Sequence, residues 1–258
     1  MKKITFRQFR IFILLCILIY VAADQYLAEY RTRSWQDTLS VIVYPISGDG
    51  SNESQQTIDQ LTQSTFASVS QFIQKEAHRY GVSIEQPIQI QLAPQINKKP
   101  PALPDLDSGM LSVMWWSLKI RWWALLENTY AGDKDIRLFV EYYADETTDS
   151  HVSVGLQKGL FSLIKNYTGD EYIERNNVII AHEMLHTLGA TDKYNLTTLL
   201  PIYPEGYANS ELGENQPQKK AELMGGRIPL SKDIAIVPES LHDCLIGKKT
   251  AKEIAWIK

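Results

Sequence analysis

The chain has 258 residues, of which 44 % are apolar and 22 % charged, and it shows no repeat or low-complexity tract. That is enough for one domain with a sizeable core, and it excludes a fibrous or disordered chain. The net charge is −4, and the first 23 residues carry four bases and no acid, so the remainder stands at −8, a balance that disfavours a nucleic-acid partner.

Lys2, Lys3, Arg7 and Arg10 form a basic leader over residues 1–10, ahead of an uncharged apolar run from Ile11 to Ala23. Positive residues before such a run hold that end in the cytoplasm and send the rest across the membrane. The run therefore predicts a transmembrane signal-anchor or, with the small residues Val21-Ala22-Ala23 at its end, a cleaved signal peptide. Its thirteen residues make about 20 Å of helix, short of a hydrocarbon core of about 30 Å unless Phe9, Gln25 and Tyr26 join it. Either reading places the following domain outside the cytoplasm, periplasmic or extracellular: membrane-anchored in the first case, secreted in the second. Residues 24–37 then serve as a linker and 38–258 as the domain. Beyond Cys16 the only cysteine is Cys244, so no disulfide forms within that domain, and Cys244 reads as a buried apolar residue.

Thr38 to Ile46 is rich in β-branched residues and ends at the turn signals Ser47-Gly48-Asp49-Gly50, which predicts a strand. Ile58, Leu61, Thr65, Val69, Phe72, Ile73 and Tyr80 then recur at helical spacing, with Gly81 as the stop. Pro87 to Leu92 alternates as a second strand, and Lys98 to Pro104 is a proline-rich connection. Met110 to Tyr130 reads as a helix. Its Trp115, Trp116, Trp122 and Trp123, with Lys119 and Arg121 between them, suit core or groove packing better than a belt on a membrane surface. Ile136 to Tyr143 is a strand. The acidic cluster Asp145, Glu146 and Asp149 lacks the spacing of a calcium loop and reads as a solvated turn. Val152 to Ile164 holds one or two further strands, Asp170 to Leu188 a helix, and Pro238 to Trp256 one interrupted helix or two short ones.

The helix over 170–188 carries the chemistry, in the stretch His182-Glu183-Met184-Leu185-His186-Thr187-Leu188-Gly189-Ala190-Thr191-Asp192. Two histidines four apart share a helical face, so both rings can reach one Zn²⁺ at about 2.0 to 2.1 Å. Glu183 sits where a carboxylate meets a metal-bound water rather than the metal, the position of a general base. Gly189 suits a left-handed turn at the helix end, and Asp192 can return along that turn as the third ligand. An ionised glutamate between the two histidines argues against their being ordinary core residues, since a carboxylate is rarely buried without a cation. His78, His151 and His242 have no ligand-like spacing.

The pattern HExxHxxGxxD resembles the metzincin zinc peptidases, whose usual signature is HExxHxxGxxH followed by a methionine turn. The aspartate in place of the third histidine is similar to the snapalysin-type proteases. Downstream, Ala221-Glu222-Leu223-Met224-Gly225-Gly226 looks like the Met-turn of that family, with Met224 as its methionine. The resemblance covers most of residues 38–258, though only 182–194 and 221–226 are specific. It implies an α+β, zincin-like domain: a mixed twisted sheet, an active-site helix, a Met-turn and a C-terminal helix, preceded by the N-terminal hydrophobic helix. It also implies a zinc-dependent endopeptidase acting on peptide or protein substrates, with His182, His186 and Asp192 on zinc and Glu183 as base. An anionic ligand acidifies the metal-bound water less than a third imidazole would, leaving more of the activation to Glu183. An extended substrate would pair with an edge strand drawn from Val152 to Leu160. Tyr194, Tyr203, Tyr207 and Arg227 flank the site as candidates to polarise the scissile carbonyl. Two alternatives stand beside this reading: a gluzincin-type site with Glu205 or Glu222 as third ligand, and a membrane-anchored binding module that keeps the metal without catalysis.

Overall fold

The computed structural model describes residues 6–104, 109–144, 153–156 and 159–258. Its organising element is a five-stranded sheet. Following the N-terminal helix α1 (Phe6–Ser34), strand β1 (Leu39–Ser47) leads through α2 (Asn52–Gln60) and α3 (Ala67–Arg79) to β2 (Ile88–Leu92). Helix α4 (Gly109–Leu126) then leads to β3 (Ile136–Tyr143), followed by β4 (Val154–Leu156), β5 (Phe161–Tyr167) and α5 (Ile173–Thr187). The spatial order is β2-β1-β3-β5-β4, with β2, β1, β3 and β5 mutually parallel and β4 antiparallel at the edge. Parallel neighbours need crossover connections, which interleave the helices with the strands. The architecture is therefore mixed α/β with a parallel-dominated sheet, which agrees with the mixed sheet expected and refines the α+β class.

Burial on both faces explains why β1 reads as a nearly continuous apolar run rather than an alternating one. Val41 and Val43 face one layer with Val69, Phe72 and Ile73 of α3 and Ile180, Met184 and Leu185 of α5. Ile42, Tyr44 and Ile46 face the other, with Trp116, Ile120 and Trp123 of α4. The tryptophans of α4 thus divide. Trp116 and Trp123 enter the core, while Trp115 and Trp122 are 62 % and 63 % exposed.

The helical repeat from Ile58 to Tyr80 is broken in two. Leu61 is extended at ψ 135°, and Thr62 opens a reciprocal cap with Thr65, whose Oγ1 accepts the Thr62 N–H at 3.1 Å. These hydroxyls offer the backbone a local partner in place of the next helical turn, which apolar periodicity alone does not reveal. Past α5 the chain forms β6 (Ala221–Glu222), β7 (Ile228–Ser231), β8 (Ile234–Ile236), β9 (Cys244–Leu245) and one short helix, α6 (Lys248–Glu253). The one interrupted helix or two short ones expected over Pro238 to Trp256 take the form of a 3₁₀ turn capped by Ser240 and the short α6, separated where the chain extends to pair β9 with β6. Cys244 is buried, and burial pushes its thiol up to about 12.

The N-terminal segment departs most from expectation. Among the described residues no helix is long and apolar enough to cross a membrane, which overturns the transmembrane anchor and the membrane-anchored localisation. The apolar run of thirteen residues gives about 20 Å of helix. The same helix then continues through Asp24 and Gln25 into the segment expected to be a linker. That segment docks on the domain. Arg31 pairs with Asp135 at 2.9 Å, Arg33 Nη2 donates to the Glu253 carbonyl at 3.0 Å, and Trp35 Nε1 donates to the Ile254 carbonyl at 2.7 Å. Asp145, Glu146, Asp149 and His151 lie outside the described residues.

Leu138, on the central strand β3, is fully buried. Leu138→Ala is expected to lower the unfolding free energy by about 2–5 kcal/mol with an unchanged denaturant slope, measured by urea unfolding.

Candidate metal centre

Helix α5 lies across β5 and β4 with its carboxyl-terminal half at the sheet edge. The Ser162 hydroxyl, near the start of β5, donates to the Glu183 carbonyl at 2.9 Å and fixes the helix against the strand. On β4, a Cβ at Gly155 would lie 2.3 Å from the His186 Cβ, so only glycine lets the edge strand come this close to the helix.

His182 and His186 project from the last two turns of α5. The His182 Nδ1 lies 2.9 Å from the Leu223 carbonyl, and the His186 Nδ1 lies 2.8 Å from the Ala190 carbonyl. A carbonyl only accepts, so both Nδ1 atoms carry the proton and donate, which in the neutral rings leaves each Nε2 with an exposed lone pair. Both lone pairs point to the same place. The two Nε2 atoms are 3.1 Å apart, and Asp192 Oδ1 stands 3.1 Å from the first and 3.2 Å from the second. His182, His186 and Asp192 form the metal-capable cluster found among the described residues. Gly189 supports this return at φ +102°, as the sequence pattern demands.

The electrostatics follow from partial burial. At His182, desolvation lowers the pKa, but the hydrogen bond to Asp192 and the nearby charge of Glu183 outweigh it, so the ring titrates above its ordinary value. At Asp192, desolvation is outweighed by hydrogen bonds from both histidines, which hold its carboxyl below the usual carboxylate range. Glu183 behaves oppositely. It is only 6 % exposed, and desolvation raises its pKa against the attraction of His182 and His186. The Gly155 amide hydrogen-bonds its carboxylate, while Oε2 has no hydrogen-bond partner.

Glu183, His186, Asp192, Ser153, Gly155 and Tyr194 line a cleft of about 450 Å³. Among the four flanking candidates the structure singles out Tyr194, whose ring centroid is 6.2 Å from that of His182. Burial and the neighbouring charges of Asp192 and Glu183 push its hydroxyl up to about 12. Tyr203 and Tyr207 instead spend their hydroxyls on the Ser210 and Glu214 carbonyls. Met224 is fully buried in a 3₁₀ turn over Leu223–Gly225, directly after Glu222, and the preceding Leu223 carbonyl is the His182 acceptor. A Cβ at Gly225 would lie 2.4 Å from the Gly206 carbonyl oxygen, so this turn also needs its glycine.

Neither glutamate proposed as an alternative third ligand reaches the cluster. Glu222 is fully buried, and its carboxylate accepts from Gly225 N at 2.9 Å, Gly247 N at 3.0 Å and Thr250 Oγ1 at 2.6 Å. Glu205 is exposed and lines a different cleft, with Arg79 and Tyr80.

Sequence reasoning missed how Asp192 is held. Lys193, 4 % exposed, donates from Nζ to Glu253 Oε2 at 2.7 Å and to the Thr191 carbonyl at 2.8 Å. Nothing in the spacing of the motif marks a residue 61 positions downstream of Asp192 as part of the site. Compared with known proteins, the chain matches no protein-family profile and no curated sequence.

Proposed function

We propose that this chain is a zinc-dependent endopeptidase with a zincin-like active site, hydrolysing peptide bonds of extended peptide or protein substrates. The observation that carries the reading is the convergence of two Nε2 lone pairs and one carboxylate oxygen beside a buried glutamate whose Oε2 lacks a partner. Zinc bonded at about 2.0–2.1 Å to three corners of a tetrahedron sets those atoms about 3.3–3.4 Å apart. The triangle of 3.1, 3.1 and 3.2 Å falls a few tenths short of this, a gap that small side-chain adjustments close. Two nitrogens and one oxygen are a donor set that suits zinc, and three protein ligands would leave it able to take a water or substrate, as catalytic sites require. A parallel-dominated sheet with an antiparallel edge strand, a buried methionine turn and a C-terminal helix further support the metzincin resemblance.

When bound, zinc would supply Lewis acidity, lowering the pKa of a water and polarising a carbonyl. His182, His186 and Asp192 would hold it, with both rings oriented by the Leu223 and Ala190 carbonyls. Glu183 takes the proton of the attacking water and passes it to the leaving amine. Its burial keeps its basicity above that of a solvated carboxylate, which suits both transfers. An extended peptide would pair with β4, the edge strand among the described residues, whose Gly155 lines the same cleft as Glu183. Tyr194 lines the cleft as a neutral hydroxyl hydrogen-bonded to Asp192, and it would have to leave that partner to donate to a developing oxyanion.

Glu183→Ala is expected to retain about one zinc per chain and to lose peptide hydrolysis by at least about 100-fold, measured by elemental analysis and by cleavage of a denatured protein substrate. Loss of zinc together with activity would assign Glu183 to the metal instead. Wild-type protein that holds zinc and cleaves no peptide would turn the reading toward a binding module.

A pH series tests the triad independently of activity. Because the folded-state pKa of His182 is raised, its pairing with Asp192 stabilises the metal-free protein fully below the ordinary histidine value of about 6.5 and is lost as pH climbs through the raised value. Zinc needs the unprotonated ring, so its binding strengthens over the same range. The melting-temperature gap between zinc-loaded and metal-free protein should therefore widen from about pH 5.5 to about pH 8. A gap independent of pH would place the metal elsewhere.

A further inference from the structure

We propose that Glu253, on α6, is the positioning residue for the metal ligand Asp192, acting through Thr191 and the buried Lys193. The proposal rests on the zinc reading above and identifies what gives the third ligand its place.

Asp192 lies in a loop past the end of α5, and a ligand on a loop needs its backbone fixed from both sides. Thr191, immediately before it, donates its N–H to Glu253 Oε2 at 3.0 Å and its hydroxyl to Glu253 Oε1 at 2.9 Å. Lys193, immediately after it, donates from Nζ to Glu253 Oε2 at 2.7 Å. One carboxylate thus holds both neighbours of the ligand. The Lys193 ammonium closes the loop on itself through the Thr191 carbonyl at 2.8 Å. The Lys193 backbone is pinned as well: its N–H donates to the Met224 carbonyl at 2.8 Å, and its carbonyl accepts from Ile202 N at 2.7 Å.

Stability alone does not account for this arrangement. A buried ammonium with its carboxylate is commonly neutral or worse for folding than an apolar pair of the same volume. What the pair supplies is direction. The Lys193 side chain turns inward toward α6, the Asp192 side chain between the two tethered residues turns outward to the histidines, and the carboxylate is preset before any metal arrives. Groups that orient a metal ligand from behind typically change affinity by about 10- to 100-fold when removed. The anchoring helix is itself held, since the Glu253 carbonyl accepts from Arg33 and the Ile254 carbonyl from Trp35.

The test separates positioning from folding. The double substitution Lys193→Met with Glu253→Leu removes both charges together, so no ion is left buried and the metal-free melting temperature should stay near that of wild type. Zinc affinity of the full chain, measured by competition with a chromophoric chelator, is expected to fall about 10- to 100-fold. With Co²⁺ in place of zinc, the visible absorption of the tetrahedral ion should shift or weaken in this variant, reporting a displaced Asp192 rather than a loosened fold. Should the double variant fail to fold, Thr191→Val removes only the hydroxyl contact at an exposed position and is expected to weaken zinc binding by a smaller factor of about 3. Unchanged zinc affinity and an unchanged cobalt spectrum in whichever variant folds would overturn the proposal. If wild-type protein binds neither ion, the zinc reading itself fails, an outcome distinct from wild-type and variant proteins binding equally well.

Discussion

The constraint on which this structure turns is the commitment of two imidazole Nδ1 atoms to backbone carbonyls. Once Leu223 O and Ala190 O accept those protons, both Nε2 atoms must face the same point, with Asp192 Oδ1 beside them. Three electron-rich atoms within about 3.2 Å of one another repel unless a cation, proton or metal, lies among them. The hydrogen bond to Asp192 and the charge of Glu183 favour the charged form of His182 and raise its pKa against desolvation, while hydrogen bonds from both histidines lower that of Asp192. A divalent ion would satisfy all three atoms at once. Neither carbonyl belongs to the helix that bears the histidines in the usual hydrogen-bonded sense. One comes from the turn after β6 and the other from the loop after Gly189, so the site depends on the whole chain past α5 being folded.

That dependence is met by carboxylates buried where segments with little regular structure converge. Glu222 receives two backbone amides and the Thr250 hydroxyl, joining the Met224 turn to the start of α6. Glu76 on α3 accepts the Ile246 N–H at 2.9 Å and pairs with Arg79, joining the main sheet's helix layer to the same segment. Glu253 secures the Asp192 loop. Desolvation raises the pKa of Glu222, whereas at Glu253 the bonds from Lys193 and Thr191 outweigh desolvation and lower it. The two-residue strands β6 and β9 bury too little apolar area to hold this region alone. Polar joints therefore do there what apolar packing does around β1 and β3.

The part of this arrangement written locally was legible in the sequence. The apolar runs of β1 and β3, the alternation of β2 and the period of α3 and α5 follow from burial on one or both faces, and the i, i+4 histidines carry their spacing with them. Gly189 announced the turn that brings Asp192 back. What was not legible depended on partners distant in sequence or on competition between local forces. The break at Leu61 and Thr62 is decided by hydroxyl capping within an otherwise helical pattern. The helical stretch ahead of Trp35 looked like a linker because its acceptors, Asp135, the Glu253 carbonyl and the Ile254 carbonyl, lie 104 or more residues away in the chain. The roles of Lys193 and Glu253 were hidden for the same reason, since a lysine after a metal ligand reads as solvent-facing until its partner is placed.

Gly155 shows how far the motif on α5 depends on the sheet. A helix bearing HExxH presents its ligands to one side, but a cleft requires a second wall, and β4 provides it by running antiparallel at the edge next to α5. The approach is set by the absence of a side chain: a Cβ at 155 would collide with the His186 Cβ, while the Gly155 amide reaches the Glu183 carboxylate. The same glycine therefore brings the wall in and supplies a donor to the buried Glu183 carboxylate. A larger residue there would push β4 outward, take away that donor and open the cleft to water, all without altering a single ligand. The geometry of this cleft is thus set as much by a missing side chain on an edge strand as by the histidines on α5.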